Sequence, residues 1–295
     1  MNLIVKNFTT MKTPMKLIFL LLPVSIILTV SCKKRKLNRD TTASKDDATA
    51  EAMFNDVYKV MDENASSEPK LNGQKTGQYY YMASGCATVT LTPYDTSTYP
   101  KTMIIDFGNG CQGNDGKTRK GKIIVEFTGK YRQAGTVITI TPDNYFVNDY
   151  KVEGKKIVEN KGKNSSNHTY YTITVDGKVT RPDGKVITWK SNRVREWIEG
   201  ESTTFWNSGI SGIFDDKYKI TGNGSGVASN GINYTVEITD PLIVQYCSYI
   251  PEIVQGKISL QPEDLKERVI DFGNGTCDNQ ATVTIGNKVY TFNLR

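Results

Sequence analysis

From Cys86 onward the apolar and polar positions alternate with a period of two, the pattern of strands that bury one face and wet the other. In "GKIIVEFTG", Ile123, Val125 and Phe127 share a face, with Lys122, Glu126 and Thr128 opposite. "TYYTITV" sets Tyr171, Ile173 and Val175 against Tyr170, Thr172 and Thr174, and "GINYTVEIT" sets Ile232, Tyr234, Val236 and Ile238 against Asn233, Thr235 and Glu237. Near the end of the sequence, Ala281, Val283 and Ile285 are joined by Gly-Asn to a strand carrying Tyr290, Phe292 and Leu294. Before this region the period is helical: Met53, Phe54, Val57, Tyr58, Val60 and Met61 fall on one stripe. The pattern predicts one short N-terminal helix, assigned to residues 51–65 and reaching back to about Asp46, followed by a β-rich domain over 80–295. The expected fold is mainly β, an antiparallel meander forming a sandwich or a long curved sheet. The helical stripe is expected to pack on its own domain.

Turn chemistry supports strands joined by tight reversals. Asp176-Gly177, Asp183-Gly184, Asn230-Gly231, Asn109-Gly110, Asn274-Gly275 and Gly286-Asn287 all tolerate the positive φ that hairpins use. "TGNGSG" at 221–226 is read as a flexible hairpin, since no helix pattern follows it to make a phosphate cradle. One phrase occurs twice: "IIDFGNGC" at 104–111 and "VIDFGNGTC" at 269–277. The kinase use of Asp-Phe-Gly needs a glycine-rich loop, a strand lysine and a catalytic loop that this chain lacks. Calcium ligation by Asp106, Asn109, Asp271 and Asn274 falls short of the six to eight oxygens the ion takes. The phrase is therefore read as a strand end followed by a reversal, used near both ends of the sheet.

Charge enters the picture through its location. The chain of 295 residues carries a net charge of +6. Lys6, Lys12 and Lys16, then Lys33, Lys34, Arg35 and Lys36, hold all of this excess and leave residues 41–295 at −1, so nucleic acid is not an expected partner. Lys12 and Lys16 precede the uncharged run Leu17–Val30, which is shorter than the ~20 residues of a membrane span and ends at Ser31-Cys32. From Met11 to Cys32 the chain resembles bacterial lipoproteins. The resemblance implies a signal peptide over 1–31 and acylation of Cys32, with residues 32–50 a lipidated, polar tether. Lys33 is not the Asp that retains such proteins in the inner membrane, which implies the outer membrane, on its periplasmic face or the cell surface. The basic run would add attraction to anionic head groups.

With Cys32 assigned to the anchor, Cys86, Cys111, Cys247 and Cys277 remain, and four cysteines in an exported chain allow three disulfide pairings. Each "DFGNG" is followed within two residues by a Cys that has another Cys 25 or 30 residues upstream, so the pairing 86 with 111 and 247 with 277 is favoured. No close Cys pair suggests zinc, and neither a metal nor another cofactor is expected. "YKITGNGSG", "GINYTVEITDPLIVQYC" and "VIDFGNGTCDNQATV" resemble segments of an uncharacterised group of β-rich outer-membrane lipoproteins, which implies the fold but supplies no catalytic residue.

The sequence offers few residues for chemistry. His168, the one histidine, sits in the polar run "KNSSNHTYY" and is expected in an exposed loop. Glu196, Glu199 and Glu201 cluster near Trp197. On a strand, Arg193, Arg195 and Trp197 share a face with Trp189, a candidate surface for rings and anions, while Glu196 lies on the other face. The leading expectation is a non-enzymatic envelope lipoprotein that binds a protein or a glycan. A carboxylate-based glycan hydrolase and a lipid carrier with an open curved sheet are the alternatives.

Overall fold

The computed structural model describes residues 40–72, 85–203, 208, 211–212, 214–247 and 250–294. The helix α1 (Thr42–Ser67) and a single turn α2 (Pro69–Asn72) precede fourteen strands. These are β1 (Thr88–Thr92), β2 (Lys101–Asp106), β3 (Cys111–Gln112), β4 (Thr118–Phe127), β5 (Val137–Val147), β6 (Tyr150–Lys163) and β7 (Thr169–Thr180). There follow β8 (Val186–Glu199), β9 (Lys217–Val227), β10 (Asn233–Cys247), β11 (Ile250–Pro262), β12 (Arg268–Asn274), β13 (Gln280–Ile285) and β14 (Lys288–Asn293). All belong to one open antiparallel sheet in chain order, with the short β3 pairing only to β4. The expected mainly β meander is thus a single sheet, and its N-terminal helix lies on one face.

That inner face holds the core. Ile123, Val125 and Phe127 on β4, Ile140 and Tyr145 on β5 and Val152 on β6 have no exposed surface. Facing them, Ala50, Phe54, Val57, Val60, Met61 and Ala65 of α1 are equally buried. The helix is longer than the stripe predicts: it begins at Thr42, ahead of the expected reach to about Asp46, and takes in the end of the segment assigned to the tether. The reason is polar burial. Asp46 and Asp47 continue the buried face between Ala43 and Ala50, and periodicity of apolar residues does not register them.

The two copies of "DFGNG" end equivalent strands. Asp106 Oδ1 accepts from Gly108 N at 2.8 Å, and Asp271 Oδ1 accepts from Gly273 N at 2.9 Å. The likeness extends sideways. Thr88, Asp106 and Lys122 stand in one row across β1, β2 and β4, while Thr282, Asp271 and Lys257 stand in the matching row across β13, β12 and β11. The next row is Val89, Ile105 and Ile123 in one copy and Val283, Ile270 and Ile258 in the other. Each lysine reaches its aspartate, Lys122 to Asp106 at 3.2 Å and Lys257 to Asp271 at 3.6 Å, and each follows a glycine at positive φ, Gly121 and Gly256. Because the strands appear in opposite chain order, the two patches are related by a local two-fold across the sheet, not by tandem repetition. The disulfides Cys86–Cys111 and Cys247–Cys277 both form, as the favoured pairing expects.

Two glycine stretches lie elsewhere than expected. Asp176-Gly177 is inside β7, not in a turn, and 221–226 is inside β9. Their glycines clear space on the inner face. A Cβ on Gly177 would fall 2.0 Å from the Phe54 ring, and one on Gly226 would fall 2.5 Å from the Tyr234 hydroxyl. Asp183-Gly184 and Asn230-Gly231 do close turns.

A buried charge pair locks the helix to this face. Asp56 and Arg119 are both fully buried, with Arg119 Nε and Nη2 donating to the carboxylate at 3.0 and 2.6 Å. Replacing Asp56 by Ala leaves Arg119 with only Asp115 as a carboxylate partner and removes the helix's hold on it, which is expected to cost about 3 kcal/mol, read from urea unfolding. Gly177→Val should destabilise comparably by driving a side chain into Phe54, whereas Gly184→Val, with no neighbour within reach of its Cβ, should pay only for strain at positive φ.

Candidate functional site

Of the four residues expected to form a binding surface, Trp189, Arg193 and Trp197 are buried and Arg195 is half-buried. They do share the inner face of β8, but Trp189 is 3% exposed, Trp197 7% and Arg193 8%. Trp189 Nε1 donates to Asp47 Oδ1 at 2.8 Å, and its ring stacks on Phe54 with centroids 5.7 Å apart. The Arg195 guanidinium lies 5.1 Å from each of the Tyr58, Tyr171 and Tyr218 rings and donates to the Tyr58 hydroxyl at 2.9 Å. Trp197 Nε1 donates to Asp216 Oδ1 at 3.1 Å. Trp189 and Arg195 touch the helix directly and form part of its seat, while Trp197 is held by Asp216 and Tyr218. The expected surface is corrected accordingly: a period of two assigned the face, and the helix that covers it decides that the face is interior.

Further charged groups complete the seat. Asp46 accepts from Arg181 Nη1 at 3.0 Å and from Ser229 N at 2.6 Å. Lys156 Nζ donates to Phe54 O at 3.2 Å and lies 5.0 Å from the Tyr58 ring. Tyr131 hydrogen-bonds to Asp62 near the other end of the helix. The sequence carries a signal for these residues that apolar periodicity overlooks. Arg119, Lys156, Arg193 and Arg195 all occupy the buried parity of their strands, a placement that requires partners.

Burial moves several protonation equilibria. It pushes Asp47 up to about 7, reinforced by the nearby Glu51 charge and opposed by the Trp189 N–H. Burial brings Lys156 down to about 7, helped by the Arg195 charge, and raises Asp216 to about 6. For Asp56 burial also acts upward, but the Arg119 guanidinium outweighs it and keeps the carboxyl below its ordinary range.

Two depressions open on the surface, the first on the outer face and the second at the end of β8, where the inner-face Trp197 also lines it. One, of about 360 Å³, runs over β8 to β11 and is lined by Lys190, Asn192, Asn223, Ser225, Thr235 and Glu237. The rows Asn192, Asn223, Glu237 and Lys190, Ser225, Thr235 place amide, hydroxyl and charged groups side by side on neighbouring strands. Such a set can donate to and accept from a polyhydroxylic ligand. The second depression, of about 420 Å³, is lined by Lys163, His168, Trp197, Glu199, Glu201 and Ser202. His168 is half-buried, not free in a loop: its Nδ1 lies 2.8 Å from Glu196 Oε1, which also accepts from Asn164 at 2.8 Å. The Lys219 ammonium bonds to Glu196 and holds its carboxyl down at about 2. Glu199 pairs with Lys217 at 3.0 Å, and Glu201 with Lys163 and the Thr169 hydroxyl. All three glutamates are thus held by cationic partners.

Among the described residues no group of three or more His, Cys, Asp or Glu side chains could hold a metal ion, and no helix is long and apolar enough to cross a membrane. Cys32 lies outside the described residues. Comparisons of the chain with protein-family models, with curated proteins and with solved structures find no match.

The buried titrating groups give stability an unusual pH profile. Asp47 and Asp216 hold protons in the folded state that the unfolded chain has already released, so their contribution falls as pH rises from about 4 to 7. Lys156 is the reverse: between about 7 and 10 the unfolded chain binds the extra proton, and stability climbs. Asp47→Asn should flatten the descending limb and Lys156→Met the ascending one, measured by urea unfolding across pH. An unchanged profile in both variants would show that these groups titrate normally.

Proposed function

We propose that the chain is a membrane-anchored lipoprotein of the cell envelope, acylated at Cys32 and held at the outer membrane. Its β-domain acts as a non-enzymatic binding or structural module. The observation that best supports a non-enzymatic role is the state of the outer carboxylates: Glu196, Glu199 and Glu201 face lysines, and the Glu196 carboxyl sits near 2. Glycoside hydrolysis needs one carboxyl kept protonated opposite one kept ionised, and the lysines beside Glu196 and Glu201 hold both of these toward the ionised form. The inner face is occupied by α1, which argues against the lipid-carrier reading, since the apolar lining a lipid would need is already covered by Phe54, Val57, Val60 and Met61. On the outer face, the groove lined by Asn192, Asn223, Thr235 and Glu237 suits an envelope glycan, with an envelope protein the other candidate partner.

A carboxylate-based hydrolase has one observation in its favour. Asp216, raised to about 6, lies directly behind Gly200 at the edge of the second depression. Turnover of envelope glycans by the wild type, lost about 100-fold or more in Asp216→Asn, would install the hydrolase and remove the non-enzymatic reading. The expected result is no turnover in either protein.

Anchoring and binding are tested separately. Cys32→Ala should abolish incorporation of radiolabelled palmitate and move the protein to the soluble fraction; retention of label would refute acylation at this residue. Asn223→Ala combined with Glu237→Ala should weaken binding to isolated envelope glycans by roughly tenfold or more with unchanged unfolding, because exposed side chains contribute little to stability.

A further inference from the structure

The sheet ends in a strand that lacks the usual protection of an edge. β14 pairs with β13 on one side and has no neighbour on the other among the described residues. All six of its residues are exposed, with Val289 at 62%, Tyr290 at 46% and Phe292 at 39%. Natural edges are shielded by prolines, bulges, charges or shortness, and β14 has no proline, an unbroken register and one charge, Lys288. The opposite edge, β1, is shielded: it has five residues and is followed at once by Pro93. Apolar side chains project from both sides of β14, so packing within its own chain does not account for them.

The open backbone groups can be assigned. Gly286 and Asn287 form a two-residue turn, with Ile285 and Lys288 as the first pair. In such a hairpin the pair flanking the turn exchanges both backbone bonds, and the alternation continues along the ladder. The bond from Leu294 N to Asn279 O fits this phase. Val289, Thr291 and Asn293 therefore direct their N–H and C=O groups away from β13.

We infer that β14 is a self-association site that pairs antiparallel with β14 of a second copy, about a two-fold axis at Thr291. This register sets Thr291 against its own equivalent and Val289 against Asn293, so all three outward-facing residues exchange backbone bonds. It sets Tyr290 against Phe292 of the second copy, twice, at the closely spaced positions where cross-strand aromatic pairs meet best. Charge selects this arrangement over a parallel one. The lysine at 288 lies at one end of the strand, so the antiparallel pair separates the two ammonium groups by the strand's length, while a parallel pair would set them together. An axis perpendicular to the sheet also keeps the two helix-bearing faces on the same side, so that two fourteen-stranded sheets join into one.

The test is sedimentation of the full chain in mild detergent, at concentrations up to roughly 100 µM, against two variants. Thr291→Pro removes an outward N–H without touching the β13 ladder, and Tyr290→Lys with Phe292→Lys places like charges across the axis. Wild type is expected to dimerise, and each variant to weaken dimerisation at least about tenfold with its urea midpoint unchanged. A wild type that stays monomeric throughout, or a dimer that Thr291→Pro leaves intact, overturns the inference.

Discussion

Two charges without any contact to water, Asp56 on the helix and Arg119 on the sheet, fix how the rest of this structure fits together. Removing such ions from solvent costs several kcal/mol each, so the arrangement persists only where every polar atom is answered. It is answered here. The Asp56 carboxylate accepts from Arg119 twice, from Lys117 at 2.8 Å and from the Tyr145 hydroxyl at 3.1 Å, while Asp115 takes the far side of the guanidinium. An apolar stripe alone could slide along the sheet by a helical turn of about 5.4 Å and still bury its residues. The acids cannot slide. Asp46 at Arg181, Asp47 at Trp189, Asp56 at Arg119 and Asp62 at Tyr131 pin α1 at four points along its length.

The sheet, in turn, is shaped to receive that helix. Gly121, Gly154, Gly222 and Gly256 all have positive φ inside strands, and a Cβ at any of them would fall within 2.4 Å of a carbonyl oxygen on the neighbouring strand. Interruptions of register accompany all four, at Lys120/Lys122 on β4, Ile140/Tyr145 on β5, and Glu237/Leu242 and Asp240/Ile243 on β10. Bulges and glycine kinks of this kind bend strands and increase twist. Their placement on β4, β6, β9 and β11 follows the same local two-fold that relates the "DFGNG" patches. The repeated phrase thus belongs to a device for bending both halves of the sheet alike, with the Asp–Lys pair beside each kink.

How much of this the sequence discloses depends on which force acts. Alternation in "GKIIVEF" assigned Ile123, Val125 and Phe127 to one face correctly, because hydrophobic burial has the period of the backbone. Paired cysteines around a repeated phrase were equally readable. The extent of α1 was not, since Asp46 and Asp47 are buried by hydrogen bonds, and no apolar pattern marks them. Gly177 and Gly226 read as turn glycines because sequence shows the missing side chain but not the Phe54 or Tyr234 ring that fills its place. For the same reason Arg195 and Trp197 read as a surface. Strand parity identifies a face, and only the third dimension says what lies upon it.

The two faces of the sheet therefore do different work. The inner one concentrates cations and aromatic rings opposite a helix that carries six acids against two lysines, so attraction and burial reinforce each other there. The outer one has its charges in exposed pairs such as Lys190 with Asp176 and Lys178 with Glu153, which contribute little to stability and can be rearranged at low cost. Recognition of a partner needs groups that are free to change neighbours without unfolding the domain. By that criterion the outer rows through Asn192, Asn223 and Glu237, and the bare edge of β14, are the parts of the molecule available for contact, while Trp189, Arg193, Arg195 and Trp197 are committed to holding it together.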